Sequence, residues 1–162
     1  MNKKSILFLL SALMLFSGCT SSITDNKKER DMKDANHYII KTSQYPQTTQ
    51  GTKEFKVYHS DIKTDVEAFK KEYLKLTAEK APSFDGNMVI AKSGEKRNGG
   101  YKISVTEVKD AERYTEVSLL LESPGKGCIS TMAITNPYVV AFIPDDHKDV
   151  KFIEKSIEVD CK

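Results

Sequence analysis

The chain has 162 residues, of which 25 are basic, 23 acidic, 39% hydrophobic and none tryptophan. That length suits one domain with something added, and the modest apolar share can build a core because it is gathered into strand-length runs. Charges of both signs are interleaved with no basic stripe, which argues against a nucleic-acid partner.

Lys3 and Lys4 form a positive start to an almost wholly apolar run, Ile6 to Phe16, of signal-peptide length and too short for a comfortable membrane span. Leu15-Phe16-Ser17-Gly18-Cys19 resembles a bacterial lipobox, with Phe16 where that pattern prefers leucine. The resemblance implies a signal peptide over 1–18, cleavage before Cys19, and a diacyl or triacyl lipid on Cys19 that holds the protein to a membrane of the cell envelope. The alternative is an ordinary secretory signal with Cys19 near its cleavage site. Removing Lys3 and Lys4 from the 25 basic residues leaves 23 against 23 acidic, so no net field would steer a charged partner. Cys128 and Cys161 remain, an even pair in an exported chain. They read as a disulfide, with two free thiols as the competing state.

Residues 19–36 are polar and charged, cannot bury enough apolar surface to offset ordering, and read as a flexible tether. A single domain is expected from 37 to the end. His37–Tyr45 and Glu54–His59 read as two strands able to form a hairpin. Val66, Phe69, Tyr73 and Leu76 then fall at helical spacing. Thr64-Asp65-Val66-Glu67 fits a capping box, Asp61 offers a slightly earlier start, and Pro82 ends the helix after Ala81. The apolar run Met88–Ala91 and the alternating Tyr101, Ile103 and Val105 read as a central hairpin around a glycine-rich turn. Further strands are expected over Arg113–Glu122, Ile129–Ile134, Tyr138–Ile143 and Val150–Val159, with Lys109–Glu112 and Pro144–His147 as turns. Tyr138–Ile143 is apolar on both faces and is expected to be central. About eight strands and one helix, without βαβ alternation, give a mainly β fold (α+β): an antiparallel β-sandwich or open barrel with one packed α-helix.

Little in the chain suggests catalysis. His37, His59 and His147 are widely spaced and offer no zinc motif. Asp145-Asp146-His147 reads as a solvated turn rather than a metal site. Gly125-Lys126-Gly127 lacks the rest of a phosphate-binding loop. Cys128 as a nucleophile would need a histidine and an electropositive setting. The expectation is no enzyme, no metal and no cofactor. Three Gly/Pro loops instead read as a binding surface: Asn98, Gly99, Gly100 and Tyr101; Pro124, Gly125, Lys126 and Gly127; and Asn136, Pro137 and Tyr138. Glycine leaves main-chain groups uncovered at low steric cost, and loops on a rigid scaffold carry binding function.

The ordered set Phe84-Asp85-Gly86-Asn87-Met88-Val89-Ile90-Ala91, Gly94-Glu95-Lys96, Gly99-Gly100-Tyr101, Ser123-Pro124-Gly125-Lys126-Gly127-Cys128, Thr135-Asn136-Pro137-Tyr138-Val139-Val140 and Ile143-Pro144 resembles the C-terminal domain of the PrcB-like protease-complex proteins. The chain departs from that pattern at Arg97-Asn98, where Pro-Thr is typical, and at Lys126, where proline is common. The resemblance implies a lipoprotein subunit without catalytic residues that binds and stabilises or regulates a surface or periplasmic protease. The three loops together are more faintly similar to those with which chagasin-type inhibitors fill a cysteine-protease cleft. A structural envelope lipoprotein with no protease partner is the remaining alternative.

Overall fold

The computed structural model describes residues 37–111, 113–144 and 149–161. The expected signal peptide, Cys19, the tether, Glu112 and Asp145-Asp146-His147 lie outside them. In chain order the elements are β1 (Tyr38–Ser43), β2 (Lys53–His59), α1 (Lys63–Thr77), β3 (Asn87–Ser93), β4 (Lys102–Ala111), β5 (Tyr114–Pro124), β6 (Tyr138–Ile143) and β7 (Asp149–Val159). They form two sheets, of order β1-β6-β3-β2 and β4-β5-β7. The fold is mainly β with one helix, and the two sheets face each other as a sandwich rather than closing into a barrel.

The two central strands of the larger sheet explain why β3 and β6 read as apolar on both faces. Val89, Ala91, Val139, Ala141 and Ile143 point into the sandwich and meet Ile103, Val105, Val108, Val117 and Leu119 of the smaller sheet. Met88, Ile90, Tyr138 and Val140 alternate to the opposite face and meet Phe69, Tyr73 and Leu76 of α1. The molecule therefore has three layers, helix on sheet on sheet, and side chains of alternate direction feed two cores. In β4 the ladder shifts between Val105 and Glu107, which returns Val108 to the inner face.

Several pairings differ from those the sequence suggests. β1 and β2 do not form a hairpin: β1 pairs with β6 and β2 with β3. The buried β6 takes β1 on one edge and β3 on the other. For the same reason β3 and β4 are not a hairpin. Both edges of β3 are occupied, by β2 and β6, so the chain crosses over residues 94–101 to begin the second sheet. The expected β4–β5 hairpin is present. β7 joins β5 in parallel, from Tyr114↔Asp149 to Pro124↔Val159, one exception to an otherwise antiparallel fold. No strand forms over 129–134. The strands it connects, β5 and β6, each already have a neighbour on both sides.

The helix also differs at its ends. Its N-cap is Ile62, with no side-chain cap, because the short link from β2 starts the helix at once. Thr64 lies inside it, and Glu67 pairs with Lys70 instead of reaching back. Asp65, in the first turn, accepts the His59 N–H at 3.2 Å, and its charge suits that helix end. The helix stops at Thr77, well before Pro82, because Ala78 takes a left-handed conformation (φ 58°) and its N–H caps the Leu74 carbonyl.

One ionic contact ties helix to sheet. Lys92 Nζ reaches Glu54 and Glu72, each at 2.7 Å, with a side chain 13% exposed. Burial alone would lower the Lys92 pKa, but the hydrogen bonds to the two carboxylates outweigh it and raise it. Lys56 and then Lys92 hold the Glu54 carboxyl below its ordinary 4.5. Glu54 therefore contributes stability that is complete above that ordinary value and is lost as pH falls through its lower folded value. Lys92→Met is expected to cost about 1–2 kcal/mol at neutral pH. It should also shrink the loss of stability on acidification, as denaturant midpoints of both proteins at neutral and at acid pH will show.

Candidate functional site

The loops that leave β3, β5 and the β1 end meet at one end of the sandwich and are stitched together by main-chain bonds. Lys96 and Thr135 exchange both their N–H···O bonds, at 2.7 and 2.9 Å. The Gly99 N–H donates to the Thr131 carbonyl (2.9 Å), and Thr135 Oγ1 donates to the Asn98 carbonyl (2.9 Å). Asn98 Nδ2 donates to Ser130 Oγ (3.0 Å). Gln44 joins from β1: its side-chain oxygen accepts the Gly100 N–H at 3.0 Å, and its carbonyl accepts the Asn136 N–H at 3.1 Å. The Tyr45 hydroxyl lies 3.1 Å from Thr131 Oγ1.

A disulfide, Cys128–Cys161, with Cα atoms 5.2 Å apart, fastens this assembly to the end of β7. Beside it the Gly125 N–H donates to the Val159 carbonyl (2.9 Å) and the Lys126 N–H to Glu158 (3.3 Å). The cysteine sulfurs are thus committed to each other, and Cys128 offers no thiolate for nucleophilic attack in this state.

The expected contact residues are brought to this end but do not all face outward. Gly100, Lys126 and Gly127 are exposed, Asn98, Tyr101 and Pro124 half-buried, and Gly99 and Gly125 buried. Asn136, Pro137 and Tyr138 are buried as well, which corrects their placement on an exposed loop. Tyr138 opens β6 and packs under the helix, and burial pushes its phenol pKa up. Gly99 is glycine because the neighbouring loop lies directly on it: a Cβ there would collide with Thr131 Oγ1. Its N–H and that of Gly100 are spent inside the protein. Bare main chain is left at Gly127, where φ is +91° and no heavy atom lies within 4 Å of an added Cβ.

The large apolar side chains that face outward here lie in stretches expected as strands, 37–45 and 129–134. Ile129 is 102% exposed and Met132 96%, and Ile134 and Tyr45 are exposed beside them. Large apolar side chains held fully in water are unusual when grouped, and mark interaction sites. The available signal was their position, directly after a cysteine and between Gly127 and Pro137, where a six-residue strand has little room to begin and end.

Shallow clefts surround Tyr101 just below this tip. One, of about 180 Å³, lies among Ser93, Lys96, Tyr101, Leu121 and Ser156. Another, of about 320 Å³, lies on the β1 side among Ser43, Gln44, Tyr101 and Ile103. Among the described residues no three His, Cys, Asp or Glu side chains converge as a metal site. His59 Nδ1 is engaged with Asn87 Oδ1 at 2.7 Å.

Residues 88–144 match the family model described as PrcB C-terminal. The PrcB C-terminal match runs from β3 to the end of β6. It contains the crossing between sheets, the β4–β5 hairpin, the loop that carries Ile129 and Met132, and Cys128. It leaves out β1, β2, α1, β7 and Cys161. Comparison with curated proteins and with solved structures finds no match for the chain.

Proposed function

We propose that this is a non-catalytic protein of the cell envelope, held to a membrane by a lipid on Cys19, that binds a protease and stabilises or regulates it through the loop end of the sandwich. The observation that carries the reading is the pair Ile129 and Met132, wholly exposed on a loop that is clamped by a disulfide and lies within the PrcB C-terminal segment. A loop ordered in advance loses less entropy when it docks, and large side chains seated in a partner's pocket supply most of the binding energy. The family resemblance supports a protease complex as the setting.

Because Ile129 and Met132 touch little of their own protein, the double variant Ile129→Asp/Met132→Asp is expected to fold normally. Crosslinking in intact cells followed by recovery of the full chain should then yield a co-purifying protease with the native protein, and at least about tenfold less with the variant. Assay of the recovered protease with and without the native chain separates stabilisation from inhibition of the chagasin type. Equal recovery with both proteins, or no protease with either, would overturn the proposal, and the second result would favour a structural envelope lipoprotein.

A further inference from the structure

The cleft of about 180 Å³ beside Tyr101 contains two features that the fold leaves unused. Ser93, 4% exposed at the end of β3, lines it, and its Oγ has no hydrogen-bond partner among the described residues. A buried hydroxyl left unmatched costs free energy, so such atoms normally meet water or a ligand. Lys96 is the second. Its N–H and carbonyl are both fixed by Thr135, while its ammonium sits 5.4 Å from the centre of the Tyr101 ring, with no carboxylate partner among the described residues.

The remaining charges at the cleft are Lys102 and Glu122, which stand opposite each other in the β4–β5 ladder and offset one another in sign. Lys96 therefore decides the local charge, and the Ser93 and Ser156 hydroxyls add donors. A volume near 180 Å³ is below the roughly 300 Å³ at which drug-sized ligands begin, and holds about six waters. It suits one side chain.

We propose that this cleft receives the carboxylate of a Glu or Asp side chain on the protein partner, with Lys96 Nζ as its donor, Ser93 at its floor and the Tyr101 ring as its wall. The assignment rests on reading this end as a partner surface, and it names what the partner must bring. A partner that seats Ile129 and Met132 must then carry an acidic residue positioned for Lys96, and that pairing would fix the orientation of docking.

The test needs no partner, so it can fail while capture through Ile129 and Met132 succeeds, and the reverse. The full chain, isotopically labelled and with Cys128–Cys161 oxidised, is titrated with N-acetylglutamate α-methylamide and separately with the isosteric N-acetylglutamine α-methylamide, and amide NMR shifts are followed. Saturable shifts at Ser93, Lys96, Tyr101 and Ser156 are expected with the glutamate probe, with at least about tenfold weaker binding of the glutamine probe. Lys96→Gln should weaken the glutamate probe by a similar factor, and Lys96→Arg should restore it. Equal binding of both probes, or no saturable shift at these residues, would reduce the cleft to a hydration site and overturn the assignment. A Ser93→Ala variant that keeps full affinity for the glutamate probe would remove Ser93 from it.

Discussion

Phe69→Ala is expected to destabilise the protein by about 3–5 kcal/mol, a large part of the roughly 5–15 kcal/mol that holds a typical domain. Phe69 is fully buried between α1 and the larger sheet. Its ring centre lies 5.5 Å from that of Tyr58, 5.6 Å from Tyr73 and 5.0 Å from Phe84, the last edge-on. Truncation removes the apolar transfer term and leaves a cavity bounded by rings from β2, from α1 itself and from the link before β3, so the site cannot collapse cheaply. Leu74, on the same helix but 55% exposed, provides the contrast: Leu74→Ala should stay within about 0.5 kcal/mol of the parent. Urea midpoints of the three proteins check both values. A loss for Phe69→Ala no larger than for Leu74→Ala would mean that the helix is not a packed third layer.

That layer was legible in the sequence because periodicity reports burial directly. Phe69, Tyr73 and Leu76 recur at helical spacing and all three are buried. Tyr138–Ile143, apolar at every position, lies in the middle of its sheet with a core on each face. Alternation in β4 and β5 marked both the strands and their hairpin. Pairing was less legible, because a strand's side chains say which faces are covered and not which strand lies along its edge. The run Met88–Ala91 reads the same whether Tyr101–Val105 or Phe55–Val57 is its neighbour. The helix ends misled for a related reason. Thr64–Glu67 and Pro82 are valid local signals, but the link at 60–62 and the left-handed Ala78 set the boundaries first.

The geometry of the candidate site was legible in part. Glycines and prolines marked the loops that gather at one end, but glycine marks two opposite situations. At Gly127 it leaves main chain open, and at Gly99 it admits another loop pressed against it. Only the packing of Thr131 tells them apart. The stretch 129–134 shows the converse. Ile129, Met132 and Ile134 have the composition of strand residues, yet they are exposed on a loop that joins two strands already paired on both edges.

Removing the disulfide joins these arguments, because it tests the fold and the loop end together. Cys128 and Cys161 are 33 residues apart in the chain, and for a loop of that size chain entropy alone predicts a loss of about 3–4 kcal/mol on opening, or about 10–15 °C in thermal midpoint for a domain of this size. Cys128→Ser/Cys161→Ser, or the native protein in dithiothreitol, should show it in a thermal melt. The loop effect is separable from the stability effect. On the β7 side the bond holds the segment that starts at Gly125, and on the other side the same segment is held by Gly99 to Thr131 and Asn98 to Ser130. Cutting the disulfide leaves Gly125 and Lys126 bonded to β7 but releases Cys128, the neighbour of Ile129, while Met132 stays beside a bonded Thr131. Partner capture should therefore weaken by about tenfold at a temperature where the variant is still fully folded, the cost of ordering a few residues again on docking. Capture that survives intact in the folded variant would mean that the Asn98–Thr131 side alone orders the tip, and that the disulfide serves stability and not recognition.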